Sequence, residues 1–221
     1  MPVRAFVKIC GLTNLSDAQA AMQLGADLIG MVFHVHSRRV CEIPVAQEIM
    51  KLEIIKPKVL VFGHDDKDYI MNIYSLLRGL MVFLQLPADH EHYDEIESLV
   101  SSTRIIPSYS VRTEIDDSDL SRWAANSLMI LDNSAGIGID GKPIAGGTGK
   151  TFNWKWVRNI QRPYLLAGGL SPDNIESALQ EVAPFGVDVA GGVESSPGIK
   201  DHGKMHRFMQ LVKANLFDEN R

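Results

Sequence analysis

The chain has 221 residues, 45% hydrophobic and 22% charged, with a formal net charge of −5 and a sequence pI of about 5.8. That composition supports a buried core and excludes general disorder, and the length suits one large α/β domain. The acidic balance excludes an electrostatic nucleic-acid surface, Cys10 and Cys41 make neither a disulfide framework nor a metal-ligand pattern, and no run approaches the ~20 apolar residues of a membrane span. The first residues run straight into an apolar segment rather than a secretory leader, so the expected location is the cytoplasm, with reduced thiols.

Residues 5–10 read as a first strand, and 16–24 as a helix opened by Ser16 and closed by Gly25. Further strands are predicted at 27–33, 58–62, 80–86, 104–108, 127–132, 164–167 and 186–190. These runs are nearly continuous in Val, Ile, Leu and Met, as in parallel strands buried on both faces. Helices are predicted between them at 44–51, 69–77, 93–101, 117–125 and 154–160. Ser171-Pro172-Asp173 reads as a helix start with proline at the first helical position, and 205–214 closes the chain. Eight strand–helix units predict a single-domain α/β fold, a (β/α)8 TIM barrel over residues 1–221 with a frayed polar tail at 218–221. A doubly wound sheet is the alternative, although it usually needs fewer strands.

In such a barrel the chemistry sits where the strands end. Cys10 ends the first strand, as a thiolate base or as a small buried apolar residue. Asp132 ends the sixth, as an acid made by burial or as a turn cap. The Gly146–Thr151 segment fails the P-loop pattern, since Ile144 stands where a glycine is needed, yet its backbone can approach a phosphate or substrate. Gly168-Gly169 and Gly191-Gly192 follow the seventh and eighth strands, where barrels commonly hold a phosphate. Arg38 and Arg39 follow the second strand, as a carboxylate clamp or as solvated charges. His34, His36, His64, His90 and His92 have no metal-specifying spacing and are expected to face solvent.

Several segments together resemble one family. They are Lys8-Ile9-Cys10-Gly11-Leu12-Thr13, residues 146–152 with Trp154, Leu166-Ala167-Gly168-Gly169-Leu170, Asn174, Gly186-Val187-Asp188-Val189, and 192–198 with Lys200-Asp201. Their order is similar to that of the phosphoribosylanthranilate isomerases. The resemblance implies an Amadori rearrangement of N-(5′-phosphoribosyl)anthranilate, with Cys10 as base and Asp132 as acid. It implies a phosphate held by Gly168, Gly169, Gly191 and Gly192, and Arg39, Asp188 and Gly147 on the substrate. It implies no cofactor, a small phosphorylated substrate, no nucleic-acid or membrane partner, and a monomer or homodimer. The sequence departs from the family at Gly63-His64, Pro87-Ala88, Pro107 and Ala190-Gly191, and in an insertion-like stretch at 136–142. These departures motivate an alternative, either a barrel enzyme acting on another phosphorylated aminosugar or ketose, or a non-catalytic phosphate-ligand binder.

Overall fold

The structure is a computed structural model that describes residues 6–53, 55–133, 136–137, 143–144 and 151–215. Eight parallel strands close into a barrel: β1 Phe6–Ile9, β2 Leu28–Val32, β3 Lys58–Val61, β4 Val82–Pro87, β5 Ile105–Ser110, β6 Met129–Asp132, β7 Tyr164–Leu166 and β8 Gly186–Val189. They neighbour one another in chain order, and β8 pairs back onto β1. Each of the eight predicted strands is present.

The strand period of two divides each strand between two cores. Val7, Ile9, Leu60, Leu84 and Leu131 pack outward against the helices. Val59, Val61, Ile106, Ile130 and Leu165 point inward and fill the barrel together with Cys10. Burial on both faces is why the strands read as unbroken apolar runs.

The helices are α1 Leu15–Gln23, α2 Ile43–Lys51, α3 Lys67–Leu77, α4 Tyr93–Val100, α5 Ile175–Val182 and α6 His202–Asn215. Four local expectations are corrected. The cap of α1 is Asn14 rather than Ser16, its side chain accepting the Asp17 N–H at 2.9 Å. Helix α5 starts at Ile175, beyond Pro172, because Asn174 folds the chain into a turn: its side chain accepts the Ser171 N–H and donates to the Gly169 carbonyl, both at 2.9 Å.

The third concerns residues 117–125, which form consecutive turns instead of a helix. The Asp116 carboxylate takes both the N–H and the hydroxyl of Ser118, a local bond that competes with helix formation. Arg162 then takes the Leu120 carbonyl at 2.7 Å. The predicted helix at 154–160 likewise shrinks to a 3₁₀ turn, Trp154–Val157. Two short antiparallel hairpins lie outside the barrel, Gly136–Ile137 with Pro143–Ile144 and Glu194–Ser196 with Ile199–Lys200. The first occupies part of the insertion-like stretch, whose residues 138–142 lie outside the described residues, as does the tail at 218–221.

An apolar cavity of about 190 Å³, lined by Phe6, Leu28, Phe83, Ile106 and Leu128 among others, opens at the amino ends of the strands. It carries none of the polar groups found at the opposite end. Among the described residues no helix is long and apolar enough to cross a membrane.

Closure depends on a close approach at the β1–β8 seam. A Cβ on Gly186 would lie 2.2 Å from the Phe6 carbonyl oxygen. Gly186→Ala is therefore expected to destabilise the fold by roughly 1–3 kcal/mol and to lower Tm by roughly 3–10 °C. A thermal melt with an unchanged Tm would show that the seam relaxes freely.

Candidate active site

Lys8 and Cys10, two residues apart, share the inward face of β1 and its extension. Lys8 stands in register with Asp188 of β8, and its Nζ donates to Asp188 Oδ1 at 3.0 Å. Lys8 is 0% exposed and Asp188 is 9% exposed. Burial alone would lower the lysine pKa, but Asp188 and Cys10 outweigh it and hold the group above its usual range. Burial pushes the Cys10 thiol up, the Lys8 ammonium opposing and Asp188 reinforcing.

Asp132 ends β6. Its Oδ1 is buried and has no hydrogen-bond partner. Burial, and then the neighbouring Asp188 carboxylate, push its pKa up to about 6, against the Asn133 N–H and Lys8. Gly168 makes room for it: its φ is +87°, and a Cβ there would meet Asp132 Oδ1 at 2.7 Å. The barrel interior thus holds two carboxylates in contrasting environments, one on an ammonium and one without a cation of its own. The Gln85 Oε1 on β4 is a second buried acceptor without a partner. Orphaned buried acceptors call for an explanation, and a bound ligand supplies one.

The loops after β7 and β8 touch backbone to backbone, since a Cβ on Gly192 would lie 1.8 Å from the Leu170 carbonyl oxygen. Gly191 opens the 3₁₀ turn Gly191–Val193, and the Arg39 guanidinium stands beside it, Nη2 lying 3.0 Å from where a Gly191 Cβ would be. Arg39 is a clamp, but on protein: its Nε and Nη2 donate to the two Glu194 oxygens at 2.8 Å each. Lys200 Nζ adds a bond to Glu194 Oε1 at 3.0 Å and another to the Ala190 carbonyl at 3.1 Å. Burial opposes ionisation of Glu194, yet Arg39 and Lys200 hold its carboxyl below the usual range.

The structure therefore gathers Cys10, Asp132, Asp188, Gly168, Gly169, Gly191, Gly192 and Arg39 at the carboxyl ends of the strands. Gly147 lies outside the described residues. Two expectations change. His34 and His90 are buried, not solvent-facing, because Asp65 gathers both rings. Its carboxylate meets His34 Nδ1 at 3.0 Å, and its carbonyl meets His90 Nε2 at 2.9 Å. Pro107 lies within β5 rather than after it. It shares the outward parity of Ile105, while Ile106 points inward, so it is no part of a substrate-facing wall.

Sequence reasoning from the residues alone passed over Lys8, Glu194 and Lys200. The available signal was a charge inside an apolar strand, Val7-Lys8-Ile9, repeated in Val187-Asp188-Val189. Among the described residues no group of His, Cys, Asp and Glu side chains is placed to hold a metal ion.

Fold and site together define an α/β barrel that gathers ionisable side chains and paired-glycine turns at the carboxyl ends of its strands, where barrel enzymes carry their active sites. Residues 7–211 match the family described as N-(5'phosphoribosyl)anthranilate (PRA) isomerase. An N-(5'-phosphoribosyl)anthranilate isomerase from Leptospira interrogans is 42% identical over 212 residues, covering 94% of either chain. Among solved structures, the phosphoribosyl anthranilate isomerase of Thermus thermophilus superposes with a TM-score of 0.78 at 26% identity, over 95% of this chain and 98% of that one. A second, 31% identical with a TM-score of 0.70 over 95% and 99% of the chains, is in complex with reduced 1-(o-carboxyphenylamino)-1-deoxyribulose 5-phosphate. The chain belongs to the N-(5'-phosphoribosyl)anthranilate isomerase family.

Asp132 carries a pH-dependent stability term. Its folded pKa of about 6 lies above the usual 3.8, so folding favours the protonated carboxyl. That stability is complete below pH 3.8 and is lost as pH rises through 6. Asp132→Asn is therefore expected to stabilise the protein by about 1–3 kcal/mol at pH 8 and not at pH 4. Melting curves at the two pH values that move equally would disprove the perturbed carboxyl.

Proposed function

We propose that this chain isomerises N-(5′-phosphoribosyl)anthranilate with Asp132 as acid and Cys10 as base, without a cofactor. The observation that carries the reading is Asp132: a carboxyl whose Oδ1 is buried and unpartnered, held protonated to about pH 6 at the barrel mouth. The ligand in the solved relative's complex, a reduced form of an aminodeoxyribulose phosphate, fits the same reading.

Asp132 protonates the furanose ring oxygen, and the C1′–O bond breaks to leave a protonated Schiff base. The Cys10 thiolate removes the C2′ proton, and that electron pair forms the C1′–C2′ double bond of an enolamine. Tautomerisation gives the ketone: C1′ gains a proton, the C2′ hydroxyl loses one, and acid and base return to their starting forms. The proton must be on the carboxyl and off the thiol, a distribution that neither pKa favours near neutrality. The activity is thus expected to be bell-shaped in pH, with its acid limb near 6.

For the rest of the substrate, the glycine loops at 168–169 and 191–192 offer backbone N–H groups to the phosphate. Arg39 faces the anthranilate carboxylate with the guanidinium edge that Glu194 leaves open. Asp188 and Gly147 complete the substrate contacts. The partner is a small phosphorylated molecule, and the protein works as a monomer or homodimer. Pro107, buried with the outward parity of β5, removes one reason for assigning a different substrate.

The test is the fluorescence of phosphoribosylanthranilate, generated in place from anthranilate and phosphoribosyl pyrophosphate. The wild-type protein is expected to quench it over time. Asp132→Asn and Cys10→Ala are expected to slow turnover by roughly 10²–10⁴-fold. Full activity in either variant would remove that residue's role. No decay with folded wild-type protein would move the search to other phosphorylated sugars.

A further inference from the structure

Sulfur is a poor place for a negative charge in a dry barrel, and Cys10 is only 7% exposed. An ionised base there needs a fixed cation. The groups packed around the thiol are Lys8 from β1, Asp188 from β8, and Lys200 from the hairpin beyond β8, with Asp132 on β6 facing Asp188 and Lys8. Lys200 is engaged by Glu194 and the Ala190 carbonyl. Lys8 donates to Asp188 at 3.0 Å and also hydrogen-bonds the Cys10 side chain, as an ammonium with three donors can.

Gly30 on β2 brings Lys8 and Cys10 together. A Cβ at Gly30 would stand 2.9 Å from Cys10 Sγ and 3.3 Å from Lys8 Cε. The two side chains therefore converge on the same patch of bare backbone, and any larger residue at position 30 would push between them or displace both.

We propose that Lys8 is the positioning counter-ion of the Cys10 thiolate: Asp188 anchors the ammonium, and Gly30 lets it lie beside the sulfur. The role rests on Cys10 being the base. When the thiolate takes the C2′ proton it becomes a neutral thiol, and Lys8 keeps its own proton and its bond to Asp188. Lys8 transfers nothing; it lowers the cost of the charge that the sulfur must carry before the step.

The test titrates the thiol without substrate, in a Cys41→Ala background. Cys41 is buried and its thiol is pushed up to about 12, so removing it leaves one reporter. Thiolate absorbance and the rate of iodoacetamide alkylation are followed against pH. Lys8→Met is expected to raise the Cys10 titration by a pH unit or more and to slow alkylation at neutral pH about tenfold. Lys8→Arg, which keeps the charge, is expected to titrate close to the parent. The alkaline limb of the activity profile should move with the thiol. If Lys8→Met leaves Asp188 unpaired and does not fold, Lys8→Met/Asp188→Asn is compared with Asp188→Asn alone, and the same upward shift is expected. An unchanged titration in the folded comparison overturns the counter-ion role. Turnover by Cys10→Ala would instead overturn the base assignment, and the thiol titration would still stand as measured.

Discussion

A barrel closes where its last strand meets its first, and here that seam carries a buried ion pair. Lys8 and Asp188 are 180 residues apart in sequence, stand in register, and meet at 3.0 Å where one is fully buried and the other nearly so. Breaking such a pair costs about 3–5 kcal/mol, because the surviving charge is left without a partner. Well-packed apolar residues would close the seam at no such risk. The pair's value lies in its charge. It sets a cation and an anion close to Cys10 and Asp132, and each of those two groups feels both charges. Closure of the fold and the electrostatics around Cys10 and Asp132 meet in the same interaction.

A second buried carboxylate ties the loops together. Glu194 accepts from Arg39 after β2, from Lys200 in the hairpin beyond β8, and from the Gly198 N–H at 3.2 Å. Glu194 is 7% exposed and Lys200 is 4% exposed, so these bonds act in a setting where charge-assisted contacts are strong. The arrangement brings the arginine of one loop against the glycine turn of another. Any anion that binds between them meets groups already held in place, which lowers the ordering cost of binding.

The repeating part of the architecture was legible in the chain. Eight apolar runs of near-constant length, separated by capped amphipathic stretches, have few other folded solutions. The place of Asp132 was legible too, because Met129-Ile130-Leu131-Asp132 ends an apolar strand in a carboxylate, and so were the paired glycines after the last two strands. The helix expected at 117–125 failed because Asp116 and Ser118 bond to each other locally while Arg162, about forty residues on, takes a carbonyl the helix would need. His34 and His90 were misplaced because their common partner, Asp65, belongs to a different strand–loop unit from either.

The sequence alone determined the fold class, the positions of Cys10 and Asp132 at strand ends, and the family. These follow from periodicities and motifs within a few residues of one another, where covalent geometry dictates which side chains share a face. Only the tertiary structure decided which charges meet. Lys8 finds Asp188 across 180 residues, and Arg39 finds Glu194 across 155. Nothing local records such pairings, because they arise from barrel closure, which brings the two ends of the chain into one hydrogen-bonded seam.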